Sequence, residues 1–306
     1  MRVPRVSVLI PAYFSQGTLA MCLEALRRQS YRDFEIIVVN SSPDETTSQL
    51  VTSEFPEVRF HQSPVRLYPH AARNLAGEMA QGEILAFTDP DCIASADWLA
   101  HHVRLHDEGR PFVGGGMEVA RREVWEYGVH LVKFFWALSS LPAGPHAIVP
   151  SANASCTRQV WEAVGPLDGD LFCGDAVLSW RASLHGYPPW FDPKAVVEHV
   201  HGGMIASLWR EQFARGREFA RVRAAFFHWS RIRLALQFPL LPFFVVFVLL
   251  RAGVRSFQAG WVVRYLASLP VQAFGQAAWC LGEALEYTRL AVTGLDREKD
   301  RRVPPR

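Results

Sequence analysis

Two carboxylates one residue apart, Asp89-Pro-Asp91, stand directly after the apolar run Glu83-Ile-Leu-Ala-Phe87. Carboxylate oxygens suit hard divalent cations, and Mg²⁺ or Mn²⁺ typically takes only one or two of them while substrate phosphates and waters complete the shell. The spacing invites a metal-bound diphosphate. Asp and Pro are also ordinary turn formers, so the triplet by itself serves both readings. Further along, His199 and His201 stand two residues apart. On one strand face they form a transition-metal pair, or each is a satisfied structural histidine.

These residues need elements to hold them. Val6–Ile10 is a short apolar run ended by Pro11, and Gln16 to Arg28 carries Leu19, Cys22, Leu23 and Leu26 at helical spacing. The β-branched run Phe34–Val39 stops at the turn formers Asn40-Ser-Ser-Pro-Asp44, before a second helical stretch to about Ser53. Val58–Phe60, the helical Pro69–Ala80 and Glu83–Phe87 repeat the alternation. Strands alternating with helices predict an α/β fold, Rossmann-like, with a mostly parallel sheet flanked by helices. Ligands of such sheets collect beyond the carboxyl ends of the strands, which are Pro11–Gln16, Asn40–Asp44 and Thr88–Cys92. No G-x-G-x-x-G follows the first strand and no G-x-x-x-x-G-K-[ST] occurs, which argues against dinucleotide and P-loop sites. Gly114-Gly-Gly116, inside an apolar segment, reads as close backbone packing.

The 306 residues carry 32 Lys and Arg against 30 Asp and Glu, a balance without the basic bias of a nucleic-acid binder. The five cysteines are scattered and form no C-x-x-C pair, so neither a disulfide framework nor a thiolate zinc site is suggested and a reducing compartment fits. The apolar start Val6–Ile10 is too short for a signal-peptide core, so the N-terminal domain is expected in the cytoplasm. After about residue 225 the composition changes. Leu234 to Leu250 has no formal charge and approaches the ~17–25 residues of a membrane-crossing helix, with Pro239 and Pro242 placed to kink it. Trp261 to Tyr287 mixes apolar residues with Arg264, Gln272, Gln276, Glu283 and Glu286, as an interfacial or re-entrant helix does. Arg215, Arg217, Arg221, Arg223, Arg231 and Arg233 crowd the approach, which suits an anionic cytoplasmic leaflet. The expected division is a catalytic domain over 1–225 and a membrane-associated helical tail over 226–306.

From Arg5 to His201 the chain resembles the family 2 glycosyltransferases of the GT-A fold. Val6-Ser-Val-Leu-Ile-Pro-Ala-Tyr13 is similar to the opening strand and Val38-Val-Asn-Ser-Ser-Pro-Asp44 to the second nucleotide-contacting loop. Ala72-Arg-Asn-Leu-Ala76 with Gly82 to Asp91 resembles the segment ending in the metal motif. Ser151-Ala-Asn-Ala-Ser155 is similar to the acceptor-side loop, Phe172-Cys-Gly-Asp175 with Leu178-Ser-Trp-Arg181 to the glutamate-aspartate motif, and Asp192 to His199 to the closing strand.

The resemblance implies donor contacts from Pro11, Ala12, Tyr13, Asn40, Asp44, Arg73, Asn74, Asp89 and Asp91. It implies an acceptor side at Asn153, Gly174 and Trp180, Asp175 as general base, and Mn²⁺ or Mg²⁺ on Asp91 and His199. The activity implied is inverting transfer from a nucleotide-sugar, UDP-sugar first with dTDP- and GDP-sugars open. The acceptor implied is a lipid-linked or other glycan at the cytoplasmic face of the cell membrane. Two positions depart: Gly174 stands where the family often has an acidic residue, and Asn40 where many relatives have Asp. They leave a second reading, a catalytically silent GT-A scaffold acting as a membrane-tethered interaction module.

Overall fold

A computed structural model describes residues 3–121, 123–202 and 205–294. In chain order the elements are β1 (Val6–Ala12), α1 (Gln16–Arg27), β2 (Phe34–Asn40), α2 (Thr46–Glu54), β3 (Arg59–Gln62), α3 (Pro69–Met79), β4 (Ile84–Thr88), β5 (Cys92–Ala94), α4 (Trp98–Asp107) and β6 (Phe112–Val119). There follow α5 (Val124–Phe134), β7 (Gly144–Pro145), β8 (Asn153–Thr157), α6 (Arg158–Val164), α7 (Gly174–Leu184), β9 (Trp190–His199), α8 (Ile205–Phe226), α9 (Arg231–Ala235), α10 (Leu241–Gln258) and α11 (Val262–Thr293). They divide into two compact units, Met1–Ala120 with Ala137–Val200, and Arg121–Trp136 with His201–Arg306. The composition shift near residue 225 and this division do not coincide, because α8 and α5 cluster with the C-terminal helices.

The first unit holds a nine-stranded sheet in the order β3-β2-β1-β4-β8-β6-β9-β5, with β7 against β9. Every residue of β1 is buried, as expected of an apolar strand covered on both faces. β1 pairs in parallel with β2 and β4, and β2 with β3. Beyond β4 the sheet is mixed: β8 runs antiparallel to β4 and β6, β9 parallel to β6, and β5 and β7 antiparallel to β9. The mostly parallel expectation thus describes the N-terminal half alone. The strand-helix alternation that implied it ends at Phe87, and β8 enters between β4 and β6 running against both. Leu9, Ile37, Leu85, Phe87, Ala154 and Val160 are among the residues of one core cluster against the sheet. The glycine run works as close packing: a Cβ on Gly115 would fall 2.1 Å from the Ala195 carbonyl oxygen, where β6 and β9 shift register.

The second unit is helical. Pro242 lies in the first turn of α10, where its missing N–H costs nothing, so the helix starts at Leu241 rather than being kinked. The segment read as interfacial is one helix of 32 residues with Pro270 inside. Its polar residues do not mark a water-facing side. Gln272 donates to the Tyr265 carbonyl at 3.0 Å, Gln276 to the Val132 carbonyl at 3.3 Å, and Glu286 accepts from Arg217 and Arg289. Gln272, Gln276 and Glu286 are all buried. Exposed apolar side chains lie on α10: Phe243, Phe247, Leu250, Val254 and Phe257 follow the four-and-three spacing of a single helix face.

Candidate active site

The strand order reverses between β1 and β4, so their carboxyl ends open the crevice where open α/β sheets bind ligands. Asp89-Pro-Asp91 leaves β4 at that point as a tight turn, closed by the Cys92 N–H donating to the Asp89 carbonyl at 3.1 Å. The turn is fastened to β9, where the Val200 N–H donates to the Asp91 carbonyl at 2.8 Å and Cys92 pairs in register with His199. His199 Nε2 thereby stands 3.6 Å from Asp91 Oδ2. One ligand atom each from Asp89, Asp91, Cys92 and His199 lies within 4.8 Å of the others. Burial and the two neighbouring carboxylates push the Cys92 thiol well above its ordinary range, and sulfur is in any case a soft ligand ill-suited to hard divalent cations. The donors that remain are carboxylate oxygen and imidazole nitrogen, a set suited to Mn²⁺ or Mg²⁺.

Asp89 is held from α3. Arg73, 1% exposed, donates through Nη2 to Asp89 Oδ1 and through Nη1 to His70 Nδ1 at 3.3 Å. A guanidinium only donates, so His70 Nδ1 is the acceptor and its Nε2–H donates to the Phe172 carbonyl at 3.3 Å. Desolvation, with Arg73 beside it, drops the His70 pKa to about 3 and keeps the ring neutral. Arg73 is therefore a buried brace for Asp89. Its Nε is buried without a hydrogen-bond partner among the described residues.

At the other strand ends, Pro11 and Ala12 close β1 and Tyr13 is 37% exposed beyond it. Phe14 takes a positive φ of 49°, a conformation rare for a residue with a side chain, and its N–H donates to Ser42 Oγ at 2.6 Å. Ser42 in turn donates through its hydroxyl to Asn40 Oδ1 at 2.9 Å, and Asn40 Nδ2 donates to Gln62 Oε1 at 2.8 Å. Asn40 thus ties the first two loops together from a fully buried position. Asp44 accepts from the Thr46 backbone and hydroxyl and starts α2.

Asp175 lies in the first turn of α7. It accepts from the Ala176 N–H at 2.8 Å and the Ser151 N–H at 3.4 Å. Desolvation raises its pKa above the ordinary carboxylate value; the two N–H groups and Arg73 oppose the rise, and Asp89 adds to it. A carboxyl so placed is a stronger base than an exposed one. Beside it, a Cβ on Gly174 would fall 2.6 Å from His70 Cδ2, so the ring fills the space a side chain there would need.

The site thus gathers Asp89, Asp91, His199, Arg73 and Asp175 through shared contacts and charge interactions. Three expected residues point elsewhere. Asn74 commits its amide to the Leu167 backbone, donating at 2.7 Å and accepting at 3.0 Å. Asn153 is fully buried, accepts from Trp98 Nε1 at 2.8 Å, and donates to the Gly116 and Ala195 carbonyls. Trp180 is buried on α7. His201 falls beyond the end of β9 and bonds to His130 at 3.0 Å. Sequence reasoning passed over His70, whose only signal was its place one turn ahead of Arg73.

Residues 7–157 match the model of the family described as Glycosyl transferase family 2. Through this domain the chain belongs to that family. Glycosyltransferase AglE of Haloferax volcanii is 26% identical over 242 residues, 77% of each chain. A UDP-Glc:alpha-D-GlcNAc-diphosphoundecaprenol beta-1,3-glucosyltransferase, WfgD of Escherichia coli, is 25% identical over 107 residues, 33% of this chain and 38% of its own. Among solved structures, the mannosyltransferase PcManGT of Pyrobaculum calidifontis, in complex with GDP-Man and Mn²⁺, superposes with a TM-score of 0.61 at 19% identity. The alignment covers 94% of this chain and 88% of that one. That likeness shows the GT-A fold, which the family 2 domain shares. The protein is a glycosyltransferase.

Proposed function

We propose that this family 2 enzyme moves a sugar from a nucleoside-diphosphate donor to an acceptor hydroxyl with inversion, and that Asp175 is its general base. The observation that carries the reading is the convergence of Asp89, Asp91 and His199 at the β1/β4 reversal, with Asp89 held by the buried Arg73 whose charge reaches Asp175. Asp89, Asp91 and His199 would hold the divalent cation. When bound, it supplies Lewis-acid neutralisation of the departing diphosphate. Tyr13, with Pro11 and Ala12, faces the nucleoside from the end of β1, while Asn40 and Asp44 shape the adjoining loop. Asp175 takes the acceptor proton as that oxygen bonds to the anomeric carbon and the bond to the diphosphate breaks, a contribution of about 10²–10⁴ in rate. One displacement inverts the configuration. Arg73 orients Asp89, and Gly174 leaves room for His70.

UDP is the first donor to test, with GDP and dTDP beside it; WfgD uses a UDP-sugar and PcManGT is bound to GDP-Man. A lipid-linked glycan acceptor at the cytoplasmic leaflet is supported by the acceptor in the WfgD description and by the exposed apolar face of α10. That helix has 18 residues and a mean hydropathy of 1.4 over a window only 11% buried. At about 1.5 Å per residue it nears the ~30 Å of a bilayer core. Catalysis is assigned to residues 1–225 and attachment to residues 226–306. The silent-scaffold reading leaned on Gly174 and Asn40, and both have a packing cause here.

The test is calorimetric titration of UDP, GDP and dTDP with and without Mn²⁺, on the protein and on Asp91→Ala. One nucleotide should bind in a metal-dependent way and lose that dependence in the variant. No diphosphate binding under any metal condition would bring the scaffold reading forward.

A further inference from the structure

Beside the residues just assigned, a row of aromatic side chains stays in water. Tyr68 is 43% exposed and Phe172 49%, and their rings meet edge to face with centroids 5.9 Å apart. The Arg66 guanidinium lies over Tyr68 at 5.6 Å and over Tyr13 at 4.7 Å. Burying such rings is stabilising, and within this unit both are left about half uncovered.

The backbone beneath them is fixed. Tyr68 caps α3, its carbonyl accepting the Ala72 N–H at 3.0 Å, and Ser41 Oγ donates to the Leu67 carbonyl at 3.3 Å. The Phe172 carbonyl accepts from His70, whose ring lies against Gly174, the residue before Asp175. One short chain of contacts therefore runs from the exposed rings to the proposed base. Rings held this way lose little entropy on binding a flat partner.

We propose that Tyr68 and Phe172 form a stacking platform for a pyranose ring of the acceptor, with Arg66 fixing the Tyr68 ring plane. This rests on the reading of Asp175 as base. An aromatic face takes the C–H face of a sugar, while the sugar's hydroxyl edge stays free to reach polar groups. Arg66 joins the platform to Tyr13 on the donor side, so donor and acceptor contacts share one cation. The platform supplies the acceptor contact for which the buried Asn153 and Trp180 are unsuited.

The probes are methyl glycopyranosides (gluco, galacto, manno and N-acetylglucosamine), whose small aglycone avoids the apolar face of α10. Saturation-transfer NMR on the full chain, with and without UDP and Mn²⁺, reads their binding. At least one glycoside should bind, and Tyr68→Ala and Phe172→Ala should each weaken it by about tenfold, equivalent to ~1.4 kcal/mol. Phe172→Trp should retain binding, and UDP affinity should stay within about twofold in all three variants, a split that a folding defect would not produce. Equal binding by the protein and the double alanine variant overturns the proposal. So does the absence of saturation transfer from every probe. Failure of UDP, GDP and dTDP alike to bind the unaltered protein strikes the transferase reading instead, and leaves the nucleotide-free glycoside titration to decide the platform.

Discussion

Gly174→Ala tests whether a neutral buried histidine braces the site. The added Cβ would sit 2.6 Å from His70 Cδ2 and 3.1 Å from Cγ and Nε2, roughly 1 Å inside the ~3.5–4.0 Å of ordinary carbon contact. The ring has little freedom to yield. It is 3% exposed, its Nε2–H is committed to the Phe172 carbonyl, and its Nδ1 accepts from Arg73. Overpacking of this kind costs about 1–3 kcal/mol. At about 2–4 °C per kcal/mol for a unit of this size, the melting temperature should fall by roughly 2–12 °C. Because Arg73 also holds Asp89, displacement of His70 should weaken Mn²⁺ affinity by about 10–100-fold, the usual cost of disturbing residues that orient ligands. The decisive assay is a double-mutant cycle with His70→Ala, read by thermal unfolding and Mn²⁺ titration. With the ring gone the clash disappears, so the double variant should be about 1–3 kcal/mol more stable than the sum of the single losses. Simple additivity, or a Gly174→Ala protein with unchanged melting temperature and Mn²⁺ affinity, would refute the reasoning.

Asp175→Asn should lower turnover by about 10²–10⁴ while metal-dependent nucleotide binding survives, as calorimetry and initial rates will read. The raised Asp175 pKa gives the acid limb of the rate profile an inflection above the ordinary carboxylate value. It also fixes the sign of a stability effect. A carboxyl whose folded pKa lies above its unfolded one stabilises the fold below the unfolded pKa and loses that contribution as pH rises through the folded pKa. Asp175→Asn should therefore gain melting temperature on the parent at neutral pH, and the gain should shrink on acidification. Asn153→Ala leaves Trp98 Nε1 and two carbonyls buried without their partner. At about 1–3 kcal/mol per orphaned group it should destabilise by at least ~3 kcal/mol in denaturant unfolding, without a selective rise in acceptor KM. Replacing Phe243, Phe247 and Phe257 by Ser should abolish flotation with anionic vesicles and leave the melting temperature within a few degrees, since these side chains are 72%, 58% and 74% exposed.

What the sequence disclosed follows the range of its signals. Apolar runs and helical spacing located β1 to β4 and α1 to α3 within a residue or two, because burial on both faces forces continuous apolar strands. Past Phe87 no such alternation constrains the order, and the antiparallel entry of β8 depends on pairings between residues some seventy positions apart, as Thr88 with Asn153 shows. The carboxylates Asp89 and Asp91 were visible because metal chemistry demands their type and spacing, whereas Asp175 was reached only through the family resemblance. The polar residues of α11 misled for the same physical reason in reverse: Gln272 and Gln276 donate to the Tyr265 and Val132 carbonyls and Glu286 accepts from Arg217 inside helix contacts, so polarity there does not mean water.

The two departures from the family pattern are each half of a pair. Where an acidic side chain is expected, Gly174 meets the ring of His70, and that ring is neutral and hydrogen-bonded at both nitrogens. An added carboxylate would have to displace it from Arg73. Where Asp is expected, Asn40 gives Gln62 a hydrogen bond through Nδ2 while Oδ1 receives the Ser42 hydroxyl, and Gln62 spends its own amide nitrogen on the Ser42 and Ser63 carbonyls. A carboxylate at position 40 would set an oxygen against Gln62 Oε1 with no proton between them, in a fully buried place where an unpaired charge is costly. A single substitution at either position therefore reads as a lost catalytic group in the sequence, yet in the fold it is one side of a contact whose other member lies 22 residues away for Asn40 and on another helix for Gly174. Activity is then to be judged from the carboxylates that remain at the strand ends.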